Sequence, residues 1–101
     1  MKKLIRSKLI EVISVDEPDE IYITADGAEY EELLRDKLQE ELIELLESDY
    51  KSIEEYADVM EVLYTMANYF GILSIEDIES ERLKKLETKG NFIAGVVLNK
   101  R

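Results

Sequence analysis

The strings Glu40-Glu41-Leu42-Ile43-Glu44 and Glu54-Glu55-Tyr56-Ala57-Asp58 place pairs of carboxylates at three-residue spacing on two successive segments of helical character. Residues three apart are surface neighbours on an α-helix, so Glu41 and Glu44 share one side of the first segment, and Glu55 and Asp58 one side of the second. Two such pairs facing each other make a divalent-cation site. A hard cation such as Mg²⁺ takes oxygen ligands of this kind.

The helical segments are bounded by recognisable signals. Asp26 reads as an N-cap with Glu29 completing a capping box, which predicts a first long helix from Gly27 or Ala28 to about Glu47. Its apolar stripe is Tyr30, Leu34, Leu38, Leu42 and Leu45, and Glu41 falls on the same side, so one carboxylate is expected on or beside the core face. Ser48 to Lys51 form a short connection, and Ser52 caps a second helix from about Ile53 to Phe70, ending at Gly71. A linker this short favours an antiparallel pair. The second helix is apolar around most of its circumference, which predicts burial on several sides, with surplus surface suited to a subunit interface. Its polarity collects in one stripe of Glu54, Asp58, Glu61, Thr65 and Asn68, with Glu55 alongside. Carboxylates buried at that density need a cation or protons to compensate them.

Ser74 opens a third long helix, Ile75 to about Lys89, with Ile75, Ile78, Leu83 and Leu86 facing inward and Gly90 as terminator. The segment from Leu4 to Ile13 reads as a short helix or an ordered arm, followed by a polar, proline-containing connection over residues 15–20. Ile21-Tyr22-Ile23-Thr24 and the tail over residues 91–98 are rich in β-favouring residues and could pair as a small β element. The expected fold is therefore a single, mainly all-α domain spanning residues 1–101: an antiparallel helical bundle with room for that β element.

Composition narrows the chemistry. With 24 acidic and 13 basic residues the formal net charge is −11, which argues against DNA or RNA as a partner. The chain has neither cysteine nor histidine, so thiolate chemistry and the commonest general base are excluded, and any catalysis must run on carboxylates, lysines and metal. All-oxygen ligation favours Mg²⁺, with Mn²⁺ as an alternative. No signal peptide or membrane span is legible, and a cytoplasmic protein is the expectation.

Lys37-Leu38-Gln39-Glu40-Glu41-Leu42-Ile43-Glu44-Leu45 fits a KLxEExxEL pattern, and Glu55-Tyr56-Ala57-Asp58-Val59-Met60-Glu61-Val62-Leu63 fits ExADxxEVL. These blocks resemble the metal motif of the MazG-like all-α nucleoside triphosphate pyrophosphatases, the superfamily that includes phosphoribosyl-ATP pyrophosphohydrolase. Lys3-Leu4-Ile5-Arg6-Ser7-Lys8-Leu9 is similar to the KLVRDKIP opening of a small house-cleaning branch, and Lys84-Lys85-Leu86-Glu87-Thr88-Lys89-Gly90-Asn91-Phe92 to its KKxxxRGGF close. Ser7 stands for aspartate, Lys89 for arginine and Asn91 for glycine. These departures spare the metal motif and fall where substrate contacts would lie.

The resemblance implies hydrolysis between the α and β phosphates of a nucleoside triphosphate, standard or noncanonical, to a monophosphate and pyrophosphate. Glu41, Glu44, Glu55 and Asp58 would hold Mg²⁺, Glu40 or Glu61 would take the proton of the attacking water, and Lys3, Arg6, Lys8, Arg82, Lys85 and Lys89 would neutralise phosphate. It also implies a homo-oligomer, dimer or tetramer. Phosphoribosyl-ATP as substrate is the nearest alternative.

Each motif also has a plainer reading. Acidic residues at helical spacing usually form a solvated face, and Glu55 is the third residue of a Ser52 capping box. Arg82, Lys85 and Lys89 suit a helix C-terminus electrostatically, and Arg6 and Lys8 suit a soluble surface. On those readings the chain is a catalytically silent acidic helical interaction protein.

Overall fold

The computed structural model describes residues 2–16 and 19–100. In these residues the chain forms four helices: α1 (Leu9–Asp16), α2 (Gly27–Glu47), α3 (Ile53–Gly71) and α4 (Ile75–Lys89). Among the described residues there is no strand, so the fold is all-α. The chain divides into two compact units, Met1–Met66 and Ala67–Arg101.

In the first unit α2 and α3 run antiparallel. Glu41 and Glu44 meet Glu55 and Asp58 near the connection, whereas Tyr30 and Leu34 share a cavity with Val62 and Thr65 further along. The core between them is small. Leu34, Leu45, Val59 and Val62 are its buried apolar side chains, and Glu41, only 6% exposed, is buried with them. Residues 34, 41 and 45 form one i, i+7, i+11 line on α2, which is why the carboxylate shares the core face.

The connection is tight. Asp49 and Tyr50 both adopt left-handed backbone (φ 55° and 60°), a conformation that costs a tyrosine more than an aspartate. Ser48 holds both helix ends: its hydroxyl donates to the Leu45 carbonyl at 2.7 Å and accepts from the Ser52 amide at 3.4 Å. Tyr56 clamps the turn by donating its hydroxyl to the Tyr50 carbonyl. Ser52 caps α3 as expected, accepting the Glu55 amide at 3.3 Å.

Several expectations are corrected. Asp26 occupies the N-cap of α2 with extended backbone, but its side chain accepts no capping hydrogen bond, and Glu29 instead pairs with Lys2 at 2.9 Å. An ammonium within reach competes with the backbone amide for that carboxylate. Leu42, placed by periodicity in the apolar stripe of α2, is 46% exposed, because it lies a quarter-turn off the 34–41–45 line. Far from being buried on several sides, α3 buries only Val59 and Val62, and its remaining apolar residues are exposed or half-buried. The segments 21–24 and 91–98 form no strand, since neither meets a partner edge. The arm over residues 2–6 is irregular and leads into α1, which takes in Val15 and Asp16 of the expected connection; Glu17 and Pro18 lie outside the described residues.

In the second unit α3 ends with the Leu73 amide donating to the Ala67 carbonyl. The left-handed residue here is Ile72 (φ 54°), one beyond the glycine expected to terminate the helix. Gly71 serves close approach, because a Cβ there would lie 3.1 Å from the Leu73 side chain. Ser74 and Asp77 form a reciprocal capping box at the start of α4, and Gly90 ends that helix in left-handed backbone. The inward face expected on α4 is not buried: Ile75, Leu83 and Leu86 are exposed and only Ile78 is half-buried. No helix of the described residues is long and apolar enough to cross a membrane.

Candidate metal centre

Glu41, Glu44, Glu55 and Asp58 each place a carboxylate oxygen within 4.8 Å of the others. Four like charges so close repel strongly unless protons or cations intervene. Glu41 is buried and the other three are half-buried, so water screens the group only in part. Burial, with the Glu44 carboxylate beside it, pushes the Glu41 pKa up from its ordinary value, against the opposing pull of Lys37. Two buried oxygens, Glu41 Oε2 and Glu55 Oε2, have no hydrogen-bond partner. A buried carboxylate oxygen left this way costs about 1–3 kcal/mol or more, which makes it a place where a ligand is expected.

Cations from the chain surround the group at its edges. The Lys37 ammonium lies 3.0 Å from Glu40 and 3.4 Å from Glu41. Burial pulls the Lys37 pKa down most strongly of any single cause, yet pairing with Glu40 and Glu41 together leaves it raised. From the N-terminal arm, Lys3 approaches Glu40 at 3.8 Å, and Arg6 donates to Asp58 at 2.7 Å. That hydrogen bond raises the Arg6 pKa, with help from the Asp58, Glu61 and Glu41 charges and against slight burial. Between arm and helices lies a cavity of about 450 Å³. Leu4, Ile5, Tyr30, Leu34 and Val62 supply its apolar walls, and Arg6, Lys8, Lys37, Glu41, Asp58 and Glu61 its charges.

The structure thus gathers the four carboxylates singled out as metal ligands and brings Arg6 and Lys8 into one cavity with two of them. Glu61 lines that cavity, while Glu40 lies outside it, with its oxygens turned to Lys37 and Lys3. Arg82, Lys85 and Lys89 lie on α4 in the second unit, where Arg82 donates to Glu79 at 2.9 Å from Nε. Sequence reasoning passed over Lys37 as a site residue. Its signal was the i, i+4 relation to Glu41, readable once Glu41 was known to be buried.

The donor set is all oxygen, which suits a hard divalent cation such as Mg²⁺ or Mn²⁺ and disfavours Zn²⁺. Comparison of the chain with protein-family models, curated proteins and solved structures gives no match.

Proposed function

We propose that the protein is a Mg²⁺-dependent nucleotide pyrophosphohydrolase of MazG-like type, cleaving the α–β phosphate bond of nucleoside triphosphates. The observation that carries this reading is the convergence of Glu41, Glu44, Glu55 and Asp58 within 4.8 Å, with two buried oxygens unpartnered. These are the residues that the sequence resemblance marks as ligands. A divalent ion bound there would supply Lewis-acid charge for the phosphates and an acidified water. Arg6 and Lys8 would meet phosphate charge in the adjoining cavity, and the apolar walls would receive the less polar part of the nucleotide. Glu61 is the better placed proton acceptor, because it lines the cavity while Glu40 is engaged by two lysines. Arg82, Lys85 and Lys89 enter this reading only through the resemblance.

The test is pyrophosphate release from a panel of standard and modified nucleoside triphosphates, with phosphoribosyl-ATP included, in Mg²⁺ and in chelator. Chelator-sensitive release is expected, lost by at least about 100-fold in Glu41→Gln, since even residues behind a metal's ligands cost 10–100-fold. Glu41→Gln hydrolysing at the parent rate would remove Glu41 from the ligand set.

A homodimer or larger homo-oligomer belongs to the same proposal. On the side of the α2–α3 hairpin away from the carboxylates, Leu42, Leu46, Ile53, Tyr56, Met60 and Leu63 are 46–83% exposed. Chains of net charge −11 repel one another, and an uncharged apolar strip is the part of this surface that another copy can cover at least electrostatic cost.

A further inference from the structure

Asp58 belongs to two ionic groupings at once. Its Oδ1 accepts a 2.7 Å hydrogen bond from the Arg6 guanidinium. The same carboxylate belongs to the group of four that would hold a cation.

We infer that Arg6 is a built-in counter-ion for the carboxylate cluster, which the added positive charge of a bound divalent cation drives off Asp58 and toward Glu61, across the cavity that all three residues line. This rests on the metal reading of the four carboxylates. Glu41 Oε2, buried and unpartnered in the same cluster, is an independent sign that something beyond Arg6 is to be bound there.

The geometry allows the exchange. The Arg6 and Asp58 side chains are 54% and 33% exposed, so the pair is wet and easily opened. Other contacts retain the arm when the pair opens: Lys2 binds Glu29, Lys3 binds Glu40, and Leu4 and Ile5 are half-buried. Glu61 on the cavity wall draws the guanidinium as well, giving it a second carboxylate to face. Arg6 therefore moves locally, without undocking the segment that carries it.

Two measurements on the full chain test this, with Mn²⁺ as the probe. Titration calorimetry should show Arg6→Ala binding Mn²⁺ about two- to fivefold more tightly than the parent, the range expected for removing an exposed competing ion pair. Lys8→Ala removes the same charge from the same cavity without touching a ligand, and should change affinity less. Modification by phenylglyoxal, followed at each arginine by mass spectrometry, reads the guanidinium itself. Arg6 should react faster, relative to Arg35, when Mn²⁺ is present, and Asp58→Asn should produce that acceleration without metal. Mn²⁺ binding with unchanged Arg6 reactivity, or equal gains in Arg6→Ala and Lys8→Ala, would overturn the inference alone. No Mn²⁺ binding by any of the proteins would overturn it together with the metal reading.

Discussion

The two flanks of the α2–α3 hairpin are built from the same helices and have opposite fates. One carries Lys37, Glu40, Glu44, Glu55, Asp58 and Glu61, and the N-terminal arm lies over it with Lys3 and Arg6 paired to Glu40 and Asp58. The other carries Leu42, Leu46, Tyr56, Met60 and Leu63, and among the described residues these remain exposed. Ordinary amphipathic helices hide their apolar face and wet their charged one. Here the charges are partly covered and the apolar residues are bare. The difference follows from a narrow core line on each helix, Leu34, Glu41 and Leu45 against Val59 and Val62, which divides the remaining surface into two flanks of contrasting chemistry. The proposed cation site would use the covered acidic flank, and the proposed contact with a second copy the bare apolar one.

That contrast can be broken most forcefully from the apolar side. Met60→Glu puts a charge in the middle of the strip, and burying it unpaired in an interface would cost several kcal/mol. The parent should sediment as a dimer or larger species and the variant as a monomer with unchanged Mn²⁺ affinity. Loss of both properties at once would show that the flanks are not independent.

On the acidic side, Lys37→Ala removes the ammonium shared by Glu40 and Glu41. Glu41 then stays buried without its cation, and the metal-free protein should lose about 1–3 kcal/mol in urea unfolding. Saturating Mn²⁺ should restore much of this, because a ligand that binds only the folded state stabilises it. A variant equally weak with and without Mn²⁺ would mean that Lys37 supports the hairpin by packing rather than by charge.

The smallest effect sharpens the comparison through pH. Glu41 has its folded pKa above its ordinary value of 4.5, so between those values the folded state binds more protons than the unfolded one. Stability of the metal-free protein therefore falls as pH rises through this window, and the penalty is complete above the folded value. Gln at this position does not titrate. Glu41→Gln should match the parent below about pH 4.5 and exceed it at neutral pH by about 0.5–1.5 kcal/mol, the worth of a hydrogen bond from the new amide to Glu44. A gap that does not open with pH would deny the buried carboxylate its role.

Much of this was legible in the residues. The bounds of α2 and α3, the Ser52 and Ser74 caps, the Gly90 stop and the placement of Glu41 on the core face all follow from local signals, because helix periodicity and capping depend on residues within a turn or two of each other. Where a local signal misled at Asp26, a more distant residue intervened, because Lys2 took Glu29 away from the cap, and at the end of α3 the left-handed residue is Ile72 rather than Gly71.

By itself, then, the sequence determined the helices, the pairing of carboxylates on two of them, and the exclusion of thiol and imidazole chemistry. Only the tertiary structure decided that four carboxylates converge within 4.8 Å, that Lys37 and Arg6 stand beside them, and that Leu42, Met60 and Leu63 stay uncovered. Those facts depend on how two helices and an arm are brought together. Arg6 and Asp58 lie 52 positions apart, and no local periodicity links them.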